Sequence, residues 1–235
     1  MKFPLLTRTV LSTLLVLLPG LALAADDISA AERALFTTNH LAALPAPAKL
    51  QYTFRKSGSL EPGFEDRVTV NWQAKPGVTC CTASTEFMGG QRRVQLPEMD
   101  SAQGNPVILH FLERDIHEMQ RLTGGKPNYF RKRIRMALAQ GASMRKLAVS
   151  YQGHSVEASE FVIAPYLDDP LRARFERLAA KRYVFTLSGE VPGGVVSIQS
   201  QVPGAAKLPL LREELTLDGA ASADAALQPL AARQP

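Results

Sequence analysis

The chain has 235 residues, 46% of them hydrophobic, which is enough for one domain with a sizeable core. Its 27 basic and 22 acidic residues leave a formal charge of +5, too small an excess to point to nucleic acid, and no nucleic-acid partner is expected.

Lys2 and Arg8 precede an apolar run from Val10 to Leu23, and Ala22-Leu23-Ala24 puts small residues where a leader is cleaved. The run is short for a membrane span, so residues 1–24 are read as a signal peptide and the mature chain as periplasmic or secreted. Without Lys2 and Arg8 the balance is 25 bases against 22 acids. No cysteine follows the cleavage position, so a lipid anchor is not expected.

Residues 25–218 are expected to form a single domain. Ser29-Ala-Ala-Glu32 has the spacing of a capping box and predicts a short helix from Ala30, ended by Pro45 and Pro47. Alternation in Leu50-Tyr52-Phe54 and Val68-Val70-Trp72 predicts two strands turned at Glu61-Pro62-Gly63. A third passes through Cys80 and Cys81, and a fourth is expected over Arg93–Leu96 after Gly89-Gly90. Neighbouring cysteines in an extended strand point to opposite faces, so the pair forms either a vicinal disulfide of redox interest, an intermolecular bridge, or two thiols with one buried.

Asn105 as N-cap and Pro106 in the first turn open a helix, Gly124-Gly125 stops it, and Pro127 opens a second, so a helix pair over 105–139 separates two meanders. Strands return at Leu147–Tyr151, Val156–Ile163, Tyr183–Leu187, Val196–Val202 and Leu215–Leu217. A further helix is expected after Asp169-Pro170, carrying Leu171, Phe175 and Leu178. Residues 219–235 are Ala-rich and polar and are read as a disordered tail. The fold class is therefore α+β, a curved antiparallel sheet like a half-barrel packed against an inserted helix pair.

Several residues are candidates for function. Tyr52, Phe54, Trp72, Tyr151, Tyr183 and Phe185 would line a concave apolar face with Phe111 and Met119, as a ligand surface or as packing against the helices. Asp115 falls on the greasy face of the first helix, where a carboxylate needs a partner; Arg131, Arg133 and Arg135 are the nearest in sequence. It is either a structural ion pair or a cavity-lining acid. His110, Glu113 and His117 share a helix side and form a low-specificity metal candidate. Between Glu118 and Glu157 there is no acid, and this basic block, with Arg131, Arg133 and Arg135, would suit an anionic headgroup, a partner protein or a membrane surface. The chain has no Gly-x-Ser-x-Gly, no glycine-rich phosphate loop and no haem motif, so no cofactor is expected.

This order of elements, over roughly residues 28–217, resembles the half-barrel periplasmic proteins that carry lipoproteins to the outer membrane. The resemblance implies a non-enzymatic binding or carrier protein for a hydrophobic, lipid-like or acylated ligand in cell-envelope maintenance. An envelope hydrolase or metal-dependent enzyme, or an assembly scaffold that uses the basic helices, is the alternative.

Overall fold

The computed structural model describes residues 28–94, 96–205 and 208–221. The expected signal peptide and the tail beyond residue 221 lie outside them. Helix α1 (Ala30–Glu32) begins with the capping box: Ser29 Oγ accepts from the Glu32 N–H, and the Ser29 N–H donates to the Glu32 carboxylate. It continues into a π-helical turn over Arg33–Thr37.

Four strands follow, β1 (Ala48–Ser57), β2 (Phe64–Gln73), β3 (Thr82–Phe87) and β4 (Met99–Asp100). After them come α2 (Val107–Thr123) and α3 (Pro127–Gly141). Five strands complete the chain: β5 (Ser143–Tyr151), β6 (His154–Ile163), β7 (Arg182–Leu187), β8 (Val195–Val202) and β9 (Leu211–Leu217). They form one antiparallel sheet, curved and not closed, in the order β4-β3-β2-β1-β9-β8-β7-β6-β5. The two edge strands are the two that flank the helix pair in sequence. The chain therefore crosses from one edge to the other through α2 and α3, and the last strand returns to the middle beside β1.

Strand periodicity puts Tyr52, Phe54, Val68, Val70, Trp72, Phe87, Tyr183, Phe185 and Leu215 into the core. The face of α2 that covers them carries Val107, Ile108, Phe111, Leu112, Ile116 and Met119, all buried. Each such side chain contributes roughly 1.5–3 kcal/mol when fully buried, so apolar packing dominates what holds α2 on the sheet. Gly124, left-handed at φ 69°, ends α2, and Pro127 sits in the first turn of α3. Phe130, Ile134 and Leu138 form the buried face of α3. The β5–β6 hairpin closes through Gln152-Gly153, both at positive φ, as a two-residue turn that follows the twist of the strands requires.

Three expectations need correction. The fourth strand is not at Arg93–Leu96: a 3₁₀ turn occupies Gly90–Arg92, Val94 makes a single bridge to Phe87, and pairing resumes only at Met99. Arg92 turns to Asp66 instead of extending the ladder, and Pro97 has no N–H to offer one. The helix expected after Asp169 is two separate 3₁₀ turns, Arg172–Arg174 and Glu176–Leu178, because Phe175 leaves the helical region at φ −143° to reach Phe130 and Tyr166. Asp169 does accept from the Leu171 N–H, as its capping signature implies. Finally, residues 219–221 are placed: Ala220 bridges to Tyr151, and the Ala221 N–H donates to the Ser150 carbonyl.

Gly193 and Gly194, at φ 72° and 71°, turn β7 into β8, and a Cβ on Gly193 would stand 2.4 Å from Leu50 Cδ1 and 2.9 Å from Asn105 Nδ2. Gly193→Ala is therefore expected to cost on the order of 1–3 kcal/mol, lowering the melting temperature by about 2–4 °C per kcal/mol. An unchanged melting temperature would show that this turn is not fixed by its close packing.

Candidate functional site

The two ends of α2 meet the sheet through different chemistry. Toward its C-terminal half the contact is ionic. Asp115 is fully buried, and its carboxylate accepts from Lys181 Nζ, from the Tyr183 hydroxyl at 2.5 Å and from Ser200 Oγ at 3.1 Å. Lys181 is equally buried, so the two charges compensate each other, and the neutral donors Tyr183 and Ser200 complete the carboxylate. Burial, followed by the Asp115 charge, pushes the Tyr183 hydroxyl well above its usual range and keeps it a donor.

One step along the helix, Arg114 Nη1 meets Glu213 at 2.7 Å, and its guanidinium lies 4.7 Å over the Phe54 ring. Glu118 and Glu61 are both 2.6 Å from Lys56 Nζ, and Arg121 reaches Glu61 and Glu118 at 2.6 and 2.8 Å. Four cations and four carboxylates thus form a neutral belt joining α2 to β1, β7, β9 and the β1–β2 turn. The partner of Asp115 is Lys181, 66 residues away, not an arginine of α3. Arg131 is bidentate to Glu113, Arg133 is on Asp169 at 2.8 Å and on the Pro165 carbonyl, and Arg135 is exposed. Much of the acid-free block is therefore neutralised by acids from other segments, Arg145 and Lys146 by Glu160 and Glu157 among them.

The proposed ligand-lining residues Tyr52, Phe54, Trp72, Phe111, Met119, Tyr183 and Phe185 are buried together beneath the helices, and Tyr151 is half-buried at the hairpin end. His110, Glu113 and His117 do not converge. His110 stands edge-on to Phe87 with its Nδ1 buried and unpartnered, and burial lowers its pKa to about 4. Glu113 is taken by Arg131, and His117 is exposed. Among the described residues, no group of three His, Cys, Asp or Glu side chains is placed to hold a metal ion. Cys80 and Cys81 are joined as a vicinal disulfide, Cys80 exposed and Cys81 in the core.

At the N-terminal end of α2 the contact is neutral and borders open space. A groove of about 510 Å³ runs between the segment 34–45 after α1, the ends of β6 and β7, and the 188–194 turn. Ala34, Ala42, Ala43, Leu44, Pro45, Phe161, Leu187 and Val191 give it an apolar lining. Its polar neighbours are largely engaged with the protein itself. Thr38 Oγ1 donates to the Arg33 carbonyl, Asn39 Oδ1 accepts from the Leu41 N–H, and Ser188 Oγ donates to the Glu157 carbonyl. Glu190 accepts from the Glu157 N–H. His40 Nδ1 accepts from the Asn105 N–H at 3.2 Å, and Nε2 is 2.8 Å from the Ala34 carbonyl.

Buried Asn105 joins this groove to everything else. Its Nδ2 donates to the Tyr52 hydroxyl and to the Gly193 carbonyl, both at 2.8 Å, while its Oδ1 accepts from the Val107 N–H at the start of α2. The N-cap signature was visible in sequence. Its three other contacts were not, because they come from residues 40, 52 and 193.

No protein-family model matches the chain, and no curated protein does. Among solved structures, it is similar to the Mycobacterium tuberculosis lipoprotein LppX, with 10% identity over 74% of this chain and 87% of that one, and a TM-score of 0.31. Among the described residues, no helix is long and apolar enough to cross a membrane.

The belt generates two expectations. Lys181→Met strands a buried carboxylate and should cost about 3–5 kcal/mol; adding Asp115→Leu should restore much of it, as chemical denaturation would measure. A double variant no more stable than the single one would mean that the pair is not a self-contained unit. The hydrogen bond from Arg121, reinforced by Lys56, holds the Glu118 carboxyl at about 2 against the opposing effect of burial. A depressed carboxyl contributes stability above its unfolded value, and that contribution disappears as pH falls from about 4.5 toward 2. The melting temperature should drop across that window, and less steeply in Glu118→Gln.

Proposed function

We propose that this chain is an exported, non-enzymatic binding or carrier protein for a ligand with a hydrophobic, lipid-like or acylated segment. The observation that carries this reading is the groove between residues 34–45 and 188–194. It has the size of a small-ligand site, within the roughly 300–1,000 Å³ such sites span. It offers a guest mainly apolar surface, because the polar groups around it are largely spent on the protein's own backbone. A polar substrate would have to break those bonds, whereas an acyl chain or apolar ring gains burial without competing for them. The aromatic face under α2 is filled by the protein's own helices, whereas the open apolar surface at the helix N-terminus takes a guest without unfolding the core.

Export through residues 1–24 would deliver such a protein to the cell envelope, where acylated molecules are its natural partners. An envelope protein that donates or receives the ligand belongs to the same reading.

Ala43 is exposed in the groove wall, so a larger side chain there fills the cavity with no loss of core. The full chain is expected to bind the neutral apolar probe N-phenyl-1-naphthylamine, and Ala43→Trp to weaken it by at least about tenfold, the equivalent of 1.4 kcal/mol, with an unchanged melting temperature. Equal binding by both proteins would remove the groove as the site. Acyl-chain species released from the purified protein and identified by mass spectrometry would name the natural ligand.

A further inference from the structure

We infer that the groove is proton-gated: His40 closes its wall only as a neutral imidazole, and protonation of that ring detaches the wall from the start of α2 and releases an apolar guest. This rests on the groove being the ligand site, and it adds how that site is controlled.

The geometry dictates the tautomer. The Asn105 backbone N–H can only donate, so His40 Nδ1 must accept, at 3.2 Å. The Ala34 carbonyl can only accept, so Nε2 must carry the proton, at 2.8 Å. A second proton has one place to go, Nδ1, where it would face the N–H of Asn105 donor to donor. Turning the ring over does not rescue the contact: it puts a carbon where each nitrogen now stands and gives up the bond to the Ala34 carbonyl as well. The ring is also packed against the 193–194 turn, where a Cβ on Gly194 would lie 3.0 Å from His40 Cδ2.

The titratable groups of the surrounding elements are engaged elsewhere. Glu32 closes the capping box, Arg33 reaches the Ile28 carbonyl, and Glu190 accepts from the Glu157 N–H. Tyr52, pushed far up by burial, takes the Asn105 side chain. Among the described residues, no carboxylate is hydrogen-bonded to the imidazole to favour its charged form. Burial accordingly lowers the His40 pKa from 6.5, and the bond to Ala34 opposes this only in part. A histidine lowered in the folded state stays neutral while the unfolded chain takes up its proton, so the closed wall is fully stable above 6.5 and weakens as pH falls below it.

The consequence reaches α2 because the same Asn105 holds the Val107 N–H and the Gly193 carbonyl. Losing its backbone bond to His40 frees one side of the groove and loosens the node that fixes the other.

The test uses the full chain and N-phenyl-1-naphthylamine, whose charge is constant between pH 5 and 8. Binding by the wild type should weaken by up to about tenfold for each pH unit below the imidazole midpoint. In His40→Gln, whose amide can accept from Asn105 and donate to Ala34 without titrating, the pH dependence should vanish, whatever the affinity of the variant at pH 7.5. A flat wild-type profile, or the same slope in His40→Gln, overturns the gating. A separate readout does not depend on the probe: the Asn105 and Val107 amide signals in NMR should titrate together below pH 6.5 in the wild type and stay still in His40→Gln. Absence of that titration overturns the proposal even if the probe binds. Titrating amides without probe binding at pH 7.5 leave the switch standing and remove the groove as the ligand site.

Discussion

A carboxylate buried in the middle of a greasy helix face leaves the chain little freedom. Asp115 must find a cation and donors inside the core, and among the described residues Lys181, Tyr183 and Ser200 supply them. Meeting them fixes the rotation of α2 about its own axis. With that rotation set, helical spacing places Arg114 over Glu213 and Phe54, and puts Glu118 on Lys56. It also delivers the first turn of the helix to Tyr52 and the 193–194 turn, where Asn105 makes its four bonds. Apolar burial supplies most of the affinity of α2 for the sheet. The ionic pair supplies the register, since a slip of one residue would strand two charges in the core.

The sequence made the helix pair, most strand turns and the oddity of Asp115 legible, because each rests on local chemistry. Asn105-Pro106, Gly124-Gly125 and Pro127 mark helix ends through backbone rules that need no tertiary information. The alternation of Tyr52, Phe54, Val68, Val70 and Trp72 marks sheet faces by period alone. Where local signals met a tertiary competitor, they lost. Phe175 left its helix for the cluster of Phe130 and Tyr166, and the strand expected from Arg93 gave way to a 3₁₀ turn whose Arg92 reaches Asp66. The partner of Asp115 was illegible because proximity in sequence favoured Arg131 and Arg133, which Glu113 and Asp169 hold, and Arg135, which is exposed. The groove was illegible for a different reason: its walls are an alanine- and proline-rich linker and a glycine turn, segments whose composition announces only a loop.

The same contrast explains why the structure can be firm at one end of α2 and responsive at the other. Breaking one partner of a buried ion pair costs several kcal/mol, whereas a neutral hydrogen bond contributes about 1 kcal/mol net. The linker 38–45 is held by the second kind: Leu41 N–H to the Gln103 carbonyl, Trp72 Nε1 to the Leu44 carbonyl, and His40 to Asn105 and Ala34. Each methylene buried by a guest contributes about 0.8 kcal/mol, so a few of them match the bonds of the groove wall and fall well short of the belt. An apolar guest can therefore reshape the linker and leave α2 in register. Asn105 is where the linker meets the start of α2: one bond to a titratable ring stands beside bonds to a strand, a turn and a helix. A proton on His40 acts at one of these contacts and through the shared residue reaches the others, which is why so small a chemical change has leverage over a groove whose lining is otherwise inert.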